Sequence, residues 1–215
     1  DTDGYWTGFG GRARVFIVNT DMLTPEQYPD SVYDLLDDQY PARSAAIAKP
    51  MFGTTATHAA ALYSHLGTEK AREFFLSLNN RGVQVVDGNS VVRDEVTAGR
   101  IAFGLTDTDD ACGPVESGKN VTIVIPDQGD GQMGTLIIPN TVALIAGAPN
   151  PEEAGVFDGG GGGEPEGDAR PNEPLADAGE VVSVADEAPA GGENGCRHAG
   201  GCGGDCCGDR VLAVE

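Results

Sequence analysis

The sequence predicts an α/β fold, a mixed sheet covered by helices, and three observations carry that expectation. Apolar runs of strand length alternate with segments of helical spacing between residues 14 and 145. With 215 residues and 40% hydrophobic content, the chain can bury a real core. The composition changes sharply along it. Residues 1–150 hold 19 acidic and 10 basic residues, whereas residues 151–215 hold 15 acidic and 3 basic residues and half of the 32 glycines. The ordered fold is therefore expected in the first 150 residues.

Residues 14–18 (RVFIV) read as a buried strand closed by Asn19, Thr20 and Asp21. A short helix is expected from Ser31, where Ser31 and Asp34 form an S-x-x-D cap ahead of Leu35 and Leu36. Residues 45–48 (AAIA) form a second strand stopped by Pro50. Residues 52–55 (FGTT) lead into a helix over 56–66 with Ala59, Leu62, Tyr63 and Leu66 at helical spacing. Thr68 caps a further helix ending near Gly82, with Ala71, Phe74, Phe75 and Leu78 on one face. A strand over 83–86, a turn at 88–90 and a helix over 90–99 with Val91, Val92 and Val96 inward come next. The strand over 101–105 then runs into Thr106-Asp107-Thr108-Asp109-Asp110, and after a short helix strands follow at 121–125, 135–138 and 142–145.

The formal net charge of −21 opposes binding to nucleic acid or to an anionic membrane, since both need clustered Lys and Arg. No run approaches 18 consecutive apolar residues, so no membrane-spanning helix is expected. The tail carries the run Gly159 to Gly163 and no apolar pattern longer than Val181-Val182, too little to offset its ordering entropy. It is expected to be disordered. Cys112 stands alone in the ordered part, and Cys196, Cys202, Cys206 and Cys207 lack the C-x2-C spacing of a zinc site, so no structural or metal role is expected of the cysteines.

In α/β sheets ligands bind outside the carboxyl ends of strands, where loops enter helices. That rule selects residues 52–55, 88–90 and 106–110. Gly53, Thr54 and Thr55 in the first loop and Asn89 and Ser90 in the second stand at helix starts, where unpaired N–H groups and the positive helix end favour an anion. Plain N-caps explain Thr55 and Ser90 equally well. In the third loop Asp107, Asp109 and Asp110 place three carboxylates within four residues, whose repulsion a cation or amine would relieve. An Asx turn with acidic residues in a first helical turn is the simpler alternative.

Two sharper motifs fail on spacing. Counted from Asp107, an EF-hand would need glycine and glutamate where Cys112 and Gly118 stand. A haloacid-dehalogenase-type phosphatase using Asp107 or Asp109 would need D-x-D followed by Thr or Val, but Ala111 follows Asp109 by two. His58 and His65 share a helix face that ordinary packing explains, and Tyr5 and Trp6 read as core aromatics.

Four stretches taken in order carry a family resemblance: WTGFGGRARVFIVNT (6–20), KPMFGTT (49–55), GNSVVRDEVTAGRIAFGLTDTDDA (88–111) and GTLIIPNTVALIAGAPNPEEA (134–154). Residues 5–150 resemble the extracellular solute-binding proteins of ABC importers, of the ferric-iron-binding type. The resemblance implies two α/β lobes joined by crossing hinge strands that close over a ligand. By it, residues 1–20 are a hinge entry segment and crossover strand, residues 21–133 the second lobe, and residues 134–154 the return strand and the start of a first-lobe segment. Most of the first lobe would be missing. Residues 155–215 would be an acidic, Gly-rich tail, disordered or arising from a shifted reading frame. A periplasmic or extracellular location is expected, with the export signal not present in this chain.

The resemblance further implies a non-enzymatic, monomeric receptor that captures ferric iron or a small anionic solute and delivers it to an ABC permease. Gly53 and Thr54 match the turn holding a synergistic anion in ferric-binding relatives, and Asn89 matches another anion contact. Asp109 and Asp110 fall where those relatives carry adjacent iron-ligating tyrosines, which makes them the candidate metal ligands here. Tyrosinate is a strong partner for ferric iron, whereas carboxylates suit hard, less selective cations or an ammonium group. An aminophosphonate or similar organic anion is therefore the alternative ligand. No cofactor is required, and Fe3+ with its anion is the family's ligand.

Overall fold

A computed structural model describes residues 6–143, 145, 147, 149–150 and 211–213. The described residues form seven strands, β1 (Trp6–Asn19), β2 (Ala45–Ala48), β3 (Gln84–Val86), β4 (Phe103–Asp107), β5 (Val121–Val124), β6 (Thr135–Ala143) and β7 (Val211–Ala213). The helices are α1 (Gly53–Leu66), α2 (Thr68–Arg81), α3 (Asn89–Thr97) and α4 (Thr108–Glu116). Two compact units divide the chain, one containing residues 12–138 and the other residues 1–11 with the segment that begins at Pro139. The candidate site lies wholly in the first.

The sheet is mixed, in the order β3-β2-β4-β1-β6-β7, with β5 also on β1. β2 runs parallel to β3 and to β4, whereas β1 is antiparallel to β4 and β5. This is the predicted α/β class. Strand alternation explains why both faces of β1 are apolar. Phe16 and Val18 pack with Leu62 of α1 and Phe74 and Leu78 of α2. Val15 and Ile17 pack with Val92 and Val96 of α3 and Ala111 of α4. A strand covered on both faces needs a continuous apolar run rather than alternation, which is what residues 15–18 supply.

Several boundaries move. The segment after Ser31 forms a short 3-10 turn, Val32–Leu36, with the expected Ser31–Asp34 capping box. The two strands expected at 135–138 and 142–145 are one strand, β6. β4 includes Thr106 and Asp107, so the third loop begins two residues later than the sequence suggests, and α4 opens at once at Thr108. Cys112 is disulfide-bonded, which corrects the expectation of a solitary thiol. Of the tail, Val211–Ala213 lies parallel to β6, while the expectations for residues 155–210 fall outside the described residues.

Candidate functional site

The ends of β2, β3 and β4 turn into α1, α3 and α4, and one carboxylate ties these turns together. Arg14 on β1 and Asp107 on β4 are direct cross-strand partners, so their side chains share a face. On that face Arg14 Nη1 lies 2.5 Å from Asp107 Oδ1, with the two side chains 2% and 1% exposed. The other carboxylate oxygen, Oδ2, accepts from the Thr54 hydroxyl at 2.6 Å and from Asn89 Nδ2 at 2.7 Å. Asn89 closes the ring by accepting from Arg14 Nη1 at 3.1 Å and donating to Thr54 Oγ1 at 3.0 Å. Every member thus satisfies another, the condition under which buried charge and polar groups are tolerated.

His58, one turn into α1, completes the arrangement. It is buried, and its Nδ1 accepts from Arg14 Nε at 3.4 Å, which puts the imidazole proton on Nε2. Burial and the adjacent Arg14 push its pKa down to about 3. The Arg14 guanidinium is itself lowered by burial, against the opposing pull of Asp107. The Thr135 hydroxyl donates to the backbone carbonyl of Arg14 and so fixes β6 against the same point of β1.

The remaining aspartates do not simply face one another. Asp109 pairs with Arg12 at 2.9 Å, and Asp110 lies 3.5 Å from Arg93. Oxygens of Asp107, Asp109 and Asp110 still come within 4.8 Å of one another, a spacing compatible with a shared cation. Burial first, and the neighbouring Asp109 second, raise the pKa of Asp110. Arg93 is shared with Asp94, 2.8 Å away, so Arg12, Arg14 and Arg93 face four aspartates and one negative charge is left over at this edge.

The starts of α1 and α3 carry no acidic residue in their first turn, whereas that of α4 carries Asp109 and Asp110. No side chain caps α1, α3 or α4 at its first N–H groups. Gly53 opens α1 with φ +61°, a conformation that favours glycine, and a Cβ there would meet nothing within 4 Å. Thr55 turns its hydroxyl back to the carbonyls of Lys49 and Phe52, at 2.8 and 2.9 Å, and Ser90 is exposed. The structure thus brings Thr54, Asn89 and Asp107 into one bonded cluster and keeps Asp109 and Asp110 at its edge. Arg14 and His58 were missed as site residues. The signal for Arg14 was a cation opening an otherwise fully apolar run, since a buried arginine requires a partner.

The architecture has clear counterparts among solved structures. Iron-bound HitA from Pseudomonas aeruginosa superposes with a TM-score of 0.64 at 22% identity, over 73% of this chain and 50% of that one. The apo ferric ion-binding protein A of Pasteurella haemolytica gives 0.61 at 19%, over 72% and 50%. The periplasmic binding protein AfuA from Actinobacillus pleuropneumoniae, with exogenous fructose-6-phosphate bound, gives 0.59 at 25%, over 71% and 47%. The chain spans about half the length of these proteins. No curated protein matches it. The sheet order and the helix starts converging at strand ends define a periplasmic-binding-protein-like fold. Residues 1–154 match the family model of bacterial extracellular solute-binding proteins, and the chain belongs to that family.

Proposed function

We propose that this chain supplies one lobe of a receptor that captures a small anionic solute, a phosphate ester or phosphonate, outside the cytoplasmic membrane and delivers it to an ABC permease. In this reading residues 14–18 and 135–138 are hinge strands and residues 21–133 the ligand-binding lobe. Capture would shift an open–closed equilibrium toward the form the permease recognises. The observation that carries it is the pair of helix starts: α1 and α3 begin without a side-chain cap and without an acidic residue in the first turn, so their ends keep a partial positive charge. The backbone N–H groups of Gly53, Thr54, Thr55, Asn89 and Ser90 would seat the anion.

Ferric iron is the weaker ligand here. Asp109 and Asp110 stand where the resemblance to ferric binders calls for tyrosines, and each lies beside an arginine. Their oxygens, within reach of those of Asp107, favour instead an amine on the same solute, so an aminophosphonate is the second reading. Phosphatase chemistry finds no support in Asp107, whose two oxygens are held by Arg14, Thr54 and Asn89 rather than aimed at a substrate.

Calorimetry on the full chain against fructose-6-phosphate, 2-aminoethylphosphonate, inorganic phosphate and ferric citrate tests the proposal. Heat with an organic phosphate or phosphonate, weakened by Ser90→Asp at the start of α3, is the expected result. Saturable binding of ferric citrate alone would overturn it.

A further inference from the structure

We infer that Asp107 is a resident anion: its carboxylate fills an internal anion pocket built by Arg14, Thr54 and Asn89, and so determines which ligands the outer site refuses. The consequence for ligand choice rests on the solute-capture reading, whereas the pocket and its occupant do not. Three donors of three different elements converge on this one group. A guanidinium N–H from β1 lies 2.5 Å from one oxygen, and a hydroxyl from α1 and an amide from α3 lie 2.6 and 2.7 Å from the other. A cation, a hydroxyl and an amide set around one carboxylate are what a protein would offer a bound inorganic anion.

Here the anion arrives on the chain, from the last residue of β4, opposite Arg14 in the strand register. The donors are thereby spent. A free anion cannot reach Arg14, which is 2% exposed and already bonded to Asp107, Asn89 and His58. Nor can it take the Thr54 hydroxyl or the Asn89 amide without breaking bonds to a covalently tethered competitor, whose effective concentration a dissolved ion does not match. What the site offers a solute is then limited to backbone N–H groups and Ser90 at the helix starts, with Arg12, Asp109 and Asp110 beside them. Small inorganic anions, which need concentrated charge, lose most from this; larger organic anions that add further contacts lose least.

The test is replacement of the tethered carboxylate by a free one. Asp107→Ala deletes a group the size of formate and leaves the Arg14 guanidinium buried without a counter-ion, so its melting temperature should fall by about 10 °C. Formate at tens of millimolar should restore at least half of that loss, while chloride at equal ionic strength restores none and the parent protein is unmoved by either. The double variant Arg14→Met/Asp107→Ala, lacking the cation, should lose the formate response. If Asp107→Ala does not fold in chloride, soluble yield on refolding with formate becomes the readout, and recovery supports the inference. No recovery, an unmoved melting temperature, or an equal formate response in the parent overturns it. Solute calorimetry on the parent reports separately on capture, so failure of one reading is distinguishable from failure of the other.

Discussion

Arg14 and Asp107 face each other across the antiparallel β1–β4 pair, 2.5 Å apart from nitrogen to oxygen, at the only charged positions of the paired segments 14–18 and 103–107. The placement follows from strand alternation. Arg14 lies on the same face as Phe16 and Val18, and Asp107 on that of Phe103 and Leu105, so both point toward α1. One pair thereby neutralises a buried cation and also locks the starts of α1 and α3 to the sheet through Thr54 and Asn89.

Removing only the cation should be costly. Arg14→Met leaves Asp107 buried with two neutral donors, and a loss of about 3–5 kcal/mol is expected in urea unfolding. The double change Arg14→Met/Asp107→Leu should cost clearly less than the sum of the single changes, with a coupling of about 1–3 kcal/mol. Simple additivity would mean that the pair is not the unit described.

How much of this was legible in the sequence follows the same physics. The helix faces were readable because burial repeats with the helical period: Ala71, Phe74 and Leu78 are buried as their spacing predicts, as are Val92 and Val96. The strands in the middle of the sheet were readable as apolar runs. The end of β4 was not, because Thr106 and Asp107 are polar by type yet 0% and 1% exposed, and what makes that tolerable lies far along the chain: the Asn89 carbonyl for Thr106, and Arg14, Thr54 and Asn89 for Asp107. His58 was passed over for the same reason, since nothing local distinguishes a histidine that receives a buried guanidinium from one that merely packs. The rule of strand ends points to residues 52–55 and 88–90 but not to their side-chain partners, because the polar types at 106–107 read as loop where the structure has strand.

Gly104 sets how closely α3 can approach β4. A Cβ there would lie 2.4 Å from Cγ1 of Val92 and 3.0 Å from the Ala46 carbonyl oxygen, both in the packed interior. Gly104→Ala should therefore cost about 1–3 kcal/mol through overpacking. Pairing it with Val92→Ala should recover part of the loss in thermal unfolding, and no recovery would place the strain at the Ala46 backbone instead.

Asp127 organises the segment after β5. It sits at φ 62°, 1% exposed, and accepts from the Ser31 hydroxyl at 2.6 Å and the Val32 N–H at 3.1 Å. Burial raises its pKa, against the pull of those two donors. Asn tolerates the left-handed conformation and can accept from Val32, so Asp127→Asn should change stability by less than about 1 kcal/mol at neutral pH. Asp127→Ala loses both bonds and strains the backbone, and should cost about 2–3 kcal/mol. Equal melting temperatures for the two variants would refute this assignment.

His58 should make the fold sensitive to mild acid. Its folded pKa is pushed down to about 3 from an ordinary 6.5, by burial first and by the charge of Arg14 second. The sign follows from which state binds protons. Below pH 6.5 the unfolded chain takes up a proton on His58 that the folded chain refuses until about pH 3, so this contribution is fully present above 6.5 and drains away as pH falls. The slope for one such group is about 1.4 kcal/mol per pH unit. His58→Gln keeps an acceptor for Arg14 Nε and removes the titration, while Asp110, Asp127 and the other carboxylates remain common to both proteins. In urea unfolding at one-unit steps from pH 7 to pH 5, the stability of the parent relative to His58→Gln should decline toward that slope. A difference that stays flat across the range would mean that His58 takes up its proton as readily in the folded chain as in the unfolded one, and that Arg14 is held by Asp107 and Asn89 alone.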